Sequence, residues 1–110
     1  MDKNIQISML LDIYGKLLTD KQYDALDLYY NQNLSLSEIS EEFKTTRQGA
    51  RKSIVDGEKK LFEYEEKLHI LKERTENQQI IEEIIKETED IVIKEKLQKL
   101  LFRWYTFTVF

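Results

Sequence analysis

No proline occurs in the 110 residues, and glycine occurs only three times, at Gly15, Gly49 and Gly57. The two residues that most readily reverse a chain are therefore almost missing. A sandwich or barrel needs a tight turn roughly every 8–12 residues, and this sequence lacks the chemistry to make them. Helices need far fewer reversals. The composition agrees, with 41% of residues hydrophobic and 35% charged, a balance that suits helices with one buried face and one wet face. Cysteine is absent, which excludes a disulfide framework, a thiolate metal site and a cysteine nucleophile.

The apolar spacing predicts five helical segments. The first runs from about Lys3 to Leu17, with Ile5, Met9, Leu10, Ile13 and Leu17 recurring mostly at steps of three and four, which places them on one face. Thr19-Asp20-Lys21-Gln22 is a capping box opening the second, whose face is Tyr23, Leu26, Tyr29 and Tyr30. Ser35-Leu36-Ser37-Glu38 is another, opening a short third helix with Leu36, Ile39 and Phe43 inward. The fourth starts at Thr45 or Thr46 and is expected to reach Leu71. A third capping box, Thr75-Glu76-Asn77-Gln78, predicts a fifth helix running to about Phe102.

The stretch from Leu34 to Leu61 carries the most information. A short helix, a break at Lys44-Thr45 and a newly capped helix from Thr46 form a helix-turn-helix plan. Ile39, Phe43, Ala50 and Ile54 fall where they would close the two helices together, and Gly49 and Ala50 are small where the helices approach. The other side of the fourth helix offers Thr46, Arg47, Gln48, Arg51 and Lys52. Arginine can make two hydrogen bonds to guanine, and glutamine can do the same with adenine. Thr46 and Lys44 would hold phosphate. Although the formal net charge is −4, residues 44–72 hold eight Lys or Arg against five Asp or Glu, while residues 1–43 hold three against eight. The competing reading makes Arg47, Arg51 and Lys52 an ordinary solvated face laced with ion pairs.

On these residues the sequence resembles the YlxM-like helix-turn-helix proteins, small bacterial proteins linked to the signal recognition particle pathway. The matching stretch begins at Leu10-Leu11-Asp12-Ile13-Tyr14-Gly15-Lys16-Leu17-Leu18-Thr19. It continues through Leu34-Ser35-Leu36-Ser37-Glu38-Ile39 and Thr46-Arg47-Gln48, and then Tyr64-Glu65-Glu66-Lys67-Leu68. The core also resembles region 4 of sigma factors. The resemblance implies an all-α fold, a sigma region 4-like helix-turn-helix followed by a long helical hairpin, a homodimer, and a DNA-binding or regulatory role beside the signal recognition particle. An accessory protein-binding module of the targeting machinery, with no DNA contact, is the alternative; a purely structural dimer is a third. Gly49-Ala50-Arg51-Lys52 is smaller and more basic than the family's usual run, and the tail from Phe102 to Phe110 departs from the family pattern.

The fourth helix also carries Ile54, Gly57, Leu61, Tyr64, Leu68 and Leu71 in alternating steps of three and four, a seam for another helix. The fifth carries Ile81, Ile84, Thr88 and Ile91, then shifts to Ile93, Leu97, Leu100 and Trp104, which implies a kink or change of face. Leu61, Tyr64, Leu68, Ile81, Ile84 and Ile91 are candidate dimer contacts, with burial inside one chain as the rival. These patterns suggest a helix-turn-helix domain over residues 1–72 and a C-terminal helix and tail over 73–110. His69 is the only histidine. Glu66 and His69 have the spacing of a di-iron motif, but that site needs a second copy, so neither an enzyme nor a cofactor is expected. No apolar run approaches the ~20 residues of a membrane span, and no secretory leader is visible, so the expectation is a cytoplasmic protein with no membrane contact.

Overall fold

The computed structural model describes the backbone of residues 2–109 and the side chains of residues 2–103. The place of Trp104 in the shifted register, and the aromatic residues after it, lie outside the described side chains. Among the described residues there are six α-helices and no strand, as expected of an all-α fold. They are α1 (Lys3–Tyr14), α2 (Asp20–Leu26, continued by a π-helical turn over Asp27–Asn31), α3 (Leu36–Glu42), α4 (Arg47–Leu68), α5 (Ile70–Glu87) and α6 (Ile91–Val109). The chain divides after His69 into two compact units.

In the first unit α1, α2 and α3 all pack on α4. The enclosed residues of α4 are Ala50, Ile54, Gly57 and Leu61, one stripe at steps of three and four. Gly57 permits close approach rather than a bend: a methyl group there would meet Leu26 Cδ1 at 2.8 Å. The predicted face of α1 needs correction. Its buried residues are Ile7, Leu10, Leu11 and Tyr14, with Leu18 just beyond, whereas Ile5 and Leu17 are more than half exposed. Apolar and polar residues are mixed round this helix, so two overlapping stripes compete. The stripe that wins carries Tyr14, which is enclosed yet donates its hydroxyl to Glu65 Oε1 at 2.7 Å, so that burial leaves no polar atom without a partner. Glu58, one heptad earlier on α4, accepts from the Tyr30 hydroxyl and sits 3.5 Å from the Lys3 ammonium. Burial, then the bond to Glu58, pushes the Tyr30 phenol well above its ordinary value.

Both capping boxes at Thr19 and Ser35 form as predicted, with side chain and backbone bonded in both directions. The third does not. Thr75 lies inside α5 and donates its hydroxyl to Leu71 O at 2.9 Å, the back-bonding open to any threonine within a helix. The predicted fourth helix is also too long. It stops at Leu68 because His69 takes a left-handed conformation (φ 55°), its N–H bonding to Glu65 O at 2.8 Å. In the second unit α5 packs on α6, and Leu71, Ile81 and Leu101 are buried. The register shift near Ile91 proves to be a full break, with Asp90 Oδ1 accepting from the backbone N–H groups of Val92 and Ile93. No helix among the described residues is long and apolar enough to cross a membrane.

One carboxylate sits against its own interest. Asp12 on α1 is half-buried, and its burial together with the charge of Asp27 pushes its carboxyl up to about 6 from 3.8. Asp27 in turn accepts from the Asn31 and Gln32 side-chain amides at 2.8 and 3.0 Å. A raised pKa in the folded state means that the fold holds this proton more tightly than the unfolded chain does. Stability contributed by the neutral acid is full below about pH 4 and is lost as pH rises to about 6. Asp12→Asn is expected to stabilise the fold at pH 7.5 by about 1 kcal/mol, after allowing for solvent screening of a half-exposed group. Urea unfolding should show that gain shrinking toward zero at pH 4; an equal gain at both pH values would contradict this account.

Candidate nucleic-acid interface

The helix-turn-helix is built by local chemistry at each joint. Ser35 caps α3 through Oγ, which accepts from Glu38 N at 3.1 Å, while Glu38 Oε1 accepts from Ser35 N at 3.0 Å. The Ser35 backbone N–H, and after it the Ser35 hydroxyl, hold the Glu38 carboxyl below the usual carboxylate range. At the other end α3 closes with a Schellman turn: Thr45 N donates to Ser40 O at 2.9 Å and Lys44 N to Glu41 O at 3.2 Å. The position that normally takes glycine is Lys44, at φ 52°. Thr46, rather than Thr45, then caps α4, its Oγ1 accepting from Gly49 N at 3.0 Å. Ala50 of α4 and Ile39 of α3 have no exposed surface, and Phe43 is half-buried.

Every predicted contact residue in this stretch is exposed: Lys44, Thr46, Arg47, Gln48, Arg51 and Lys52. They lie on flanks of the turn and of α4 that the Ala50–Ile54–Gly57–Leu61 seam leaves open to water. Lys52 is held by Asp56 one turn on, Nζ to Oδ2 at 2.9 Å. The ion-pair reading therefore applies to Lys52, through a solvent-exposed bond of the weak i,i+4 kind. Among the described residues no carboxylate pairs with Arg47 or Arg51. Gly49 also has a structural account. A methyl group at Gly49 would stand 2.6 Å from Thr45 Oγ1, so the glycine is the notch in which that hydroxyl rests.

The candidate dimer residues differ in exposure. Leu61 is wholly enclosed within its own chain and has no surface to offer a partner, because it belongs to the α4 seam. Ile81 is buried as well. Tyr64 is half-buried, its ring centroid 5.9 Å from that of Tyr14. Leu68, Ile84 and Ile91 are exposed, Ile91 by 70%. Sequence reasoning missed the two tyrosine–glutamate bonds; their signal was a pair of glutamates seven residues apart, Glu58 and Glu65, on the buried side of an otherwise wet helix. It also missed the exposed carboxylates Glu41 and Glu42 on α3, next to the basic turn. Among the described residues no group of three His, Cys, Asp or Glu side chains could hold a metal ion.

The chain matches, over residues 1–101, the UPF0122 family model, described as "Putative helix-turn-helix protein, YlxM / p13 like". It is 42% identical to a UPF0122 protein of Clostridium perfringens over 92% of this chain and 98% of that one. It is 50% identical to one of Clostridium kluyveri over 67% of each, and 39% identical to one of Lactococcus lactis over 91% of each.

Lys44 generates a test of the turn. A non-glycine residue in the left-handed region costs roughly 1–2 kcal/mol, partly offset by the lower entropy of its unfolded state relative to glycine. Lys44→Gly is therefore expected to leave thermal stability unchanged or raise it by up to about 1 kcal/mol, while weakening any polyanion contact made through the ammonium. A clear fall in melting temperature would show that the lysine is not strained.

Proposed function

This chain belongs to the UPF0122 family of YlxM/p13-like helix-turn-helix proteins, and from that premise we propose that it is a DNA-binding regulatory protein that reads the major groove with the start of α4. One observation carries the reading. Arg47 and Arg51 stand one helical turn apart, exposed and without a carboxylate partner among the described residues, with Gln48 between them. Two forks and an amide at that spacing suit base edges. Lys44 and Thr46 at the turn suit the phosphates beside them, and Lys52 joins when its weak bond to Asp56 yields to a phosphate.

We propose further that the protein works as a homodimer in the cytoplasm, in the service of the signal recognition particle pathway. The pathway rests on the family resemblance. The dimer rests on that resemblance and on Leu68, Ile84 and Ile91, which expose aliphatic surface of the kind a partner would cover. A second reading, an accessory module that binds protein components of that machinery and no DNA, is favoured by Glu41 and Glu42. A helix-turn-helix lays its first helix across the DNA backbone, and here that helix presents exposed carboxylates.

The readings part in a salt series. Wild-type protein should bind duplex DNA with an affinity that falls steeply as salt rises, since neutralised phosphates release counterions. Arg47→Ala with Arg51→Ala should abolish binding and leave the melting temperature within about 2 °C, because both side chains are exposed. No affinity in wild type at low salt would end the DNA reading. Light scattering at micromolar concentration should give twice the mass of 13.3 kDa; a monomer there would end the dimer reading.

A further inference from the structure

The turn of the helix-turn-helix is fastened on both sides. Its backbone is tied to α3 by the bonds from Lys44 N and Thr45 N, and the Thr46 hydroxyl ties it to α4. A third fastening is steric. Thr45 Oγ1 occupies the space in which a side chain at position 49 would begin, 2.6 Å from where a Cβ would stand, and Thr46 Oγ1 lies 3.3 Å from the same point. Gly49 is the third residue of α4, in its first turn. It has no left-handed conformation to account for a glycine there, since no glycine has positive φ. Its backbone is fully engaged, with N–H on Thr46 Oγ1 and C=O accepting from the Ser53 hydroxyl at 3.2 Å. What the missing Cβ supplies is room for Thr45.

We propose that Thr45 and Gly49 form a positioning pair that sets how closely the turn lies on the first turn of α4, and so where Arg47, Gln48 and Arg51 point. The inference rests on the DNA reading above for its consequence, but not for its geometry. A methyl group at position 49 displaces Thr45, and with it the turn whose backbone is bonded to α3. The recognition residues then shift relative to the helix that orients them, and base contacts tolerate only about 0.5 Å of such error. Against that cost stands a small gain in helix propensity, because alanine is a better helix former than glycine.

Gly49→Ala should therefore weaken duplex DNA binding roughly tenfold, while the melting temperature stays within about 3 °C, because the cost of moving the turn and the gain in helix propensity oppose each other. A residue of merely structural importance would lose both together. Thr45→Ala removes Oγ1, so adding Gly49→Ala to it should change affinity by less than about twofold, a coupling that the four-protein cycle measures directly. The same cycle is read without DNA by hydrogen exchange at the residue-49 amide. Exchange should speed up in Gly49→Ala and return toward the wild-type rate when Thr45→Ala is added. Equal effects of Gly49→Ala in both backgrounds, on exchange or on affinity, would overturn the pair. If the exchange coupling holds but wild type binds no DNA, the pair stands as a fixture of the turn, and its role in base reading falls along with the DNA reading.

Discussion

The first unit depends on one enclosed stripe along α4. Ala50, Ile54, Gly57 and Leu61 are buried, and three other helices lie against the helix that carries them. Burial of side chains the size of Ile54 and Leu61 contributes about 1.5–3 kcal/mol each, and the gap at Gly57 lets Leu26 approach more closely than any other residue there would allow. A helix turns by a fixed angle per residue, so choosing its buried stripe also chooses its wet one. Once the seam is enclosed, Gln48, Arg51 and Lys52 have no option but water. The exposure of the candidate interface is thus a consequence of the core.

The two tyrosine–glutamate bonds refine that arrangement. Tyr14 and Tyr30 reach α4 from α1 and from the π-helical turn after α2, ending on Glu65 and Glu58. Each bond to a charged acceptor adds about 1.5–3 kcal/mol at most, less than the core supplies. Their distinctive contribution is directional. An apolar seam tolerates sliding by a helical turn, but a phenol that must meet a carboxylate does not. Spaced one heptad apart, the two bonds fix the height of α4 against its neighbours, and with it the level at which Arg47 and Arg51 emerge.

Much of this was legible in the sequence wherever the signal was local. The caps at Thr19 and Ser35, the break at Lys44-Thr45 and the inward Ala50 and Ile54 all follow from short-range chemistry, and the structure keeps them. Errors arose where two local solutions were nearly equal. On α1 a second apolar stripe competed, and tertiary contact with α4 chose Ile7, Leu10, Leu11 and Tyr14. At Thr75 a capping signature coincided with a helix interior, because the helix had already begun after His69. Of the candidate site, the exposed cations were foreseeable. The ion pairs set against those cations at the outset hold Lys52, through Asp56 one turn on; the acidic flank on α3 was not foreseen, since which charges share a surface depends on how α3 meets α4.

The turns explain how a chain with three glycines and no proline manages its reversals. Left-handed residues close the joints after the π-helical turn, after α3 and after α4, and these are Asn33, Lys44 and His69. Asparagine and histidine are several-fold enriched in that conformation among non-glycine residues. Lysine has no such excuse. Glycine, freed from this duty, is placed instead where bodies come close, at Gly49 under Thr45 and at Gly57 under Leu26. Lys44 is consequently the joint at which a local rule is broken with no gain visible inside its own unit: its backbone is strained, its side chain is exposed and carries no salt bridge among the described residues. Violations of that kind concentrate at functional positions, where the compensation comes from outside the fold. A polyanion laid along the turn is the compensation that an exposed ammonium between Glu42 and Arg47 would accept, and it is the one the proposed contact supplies.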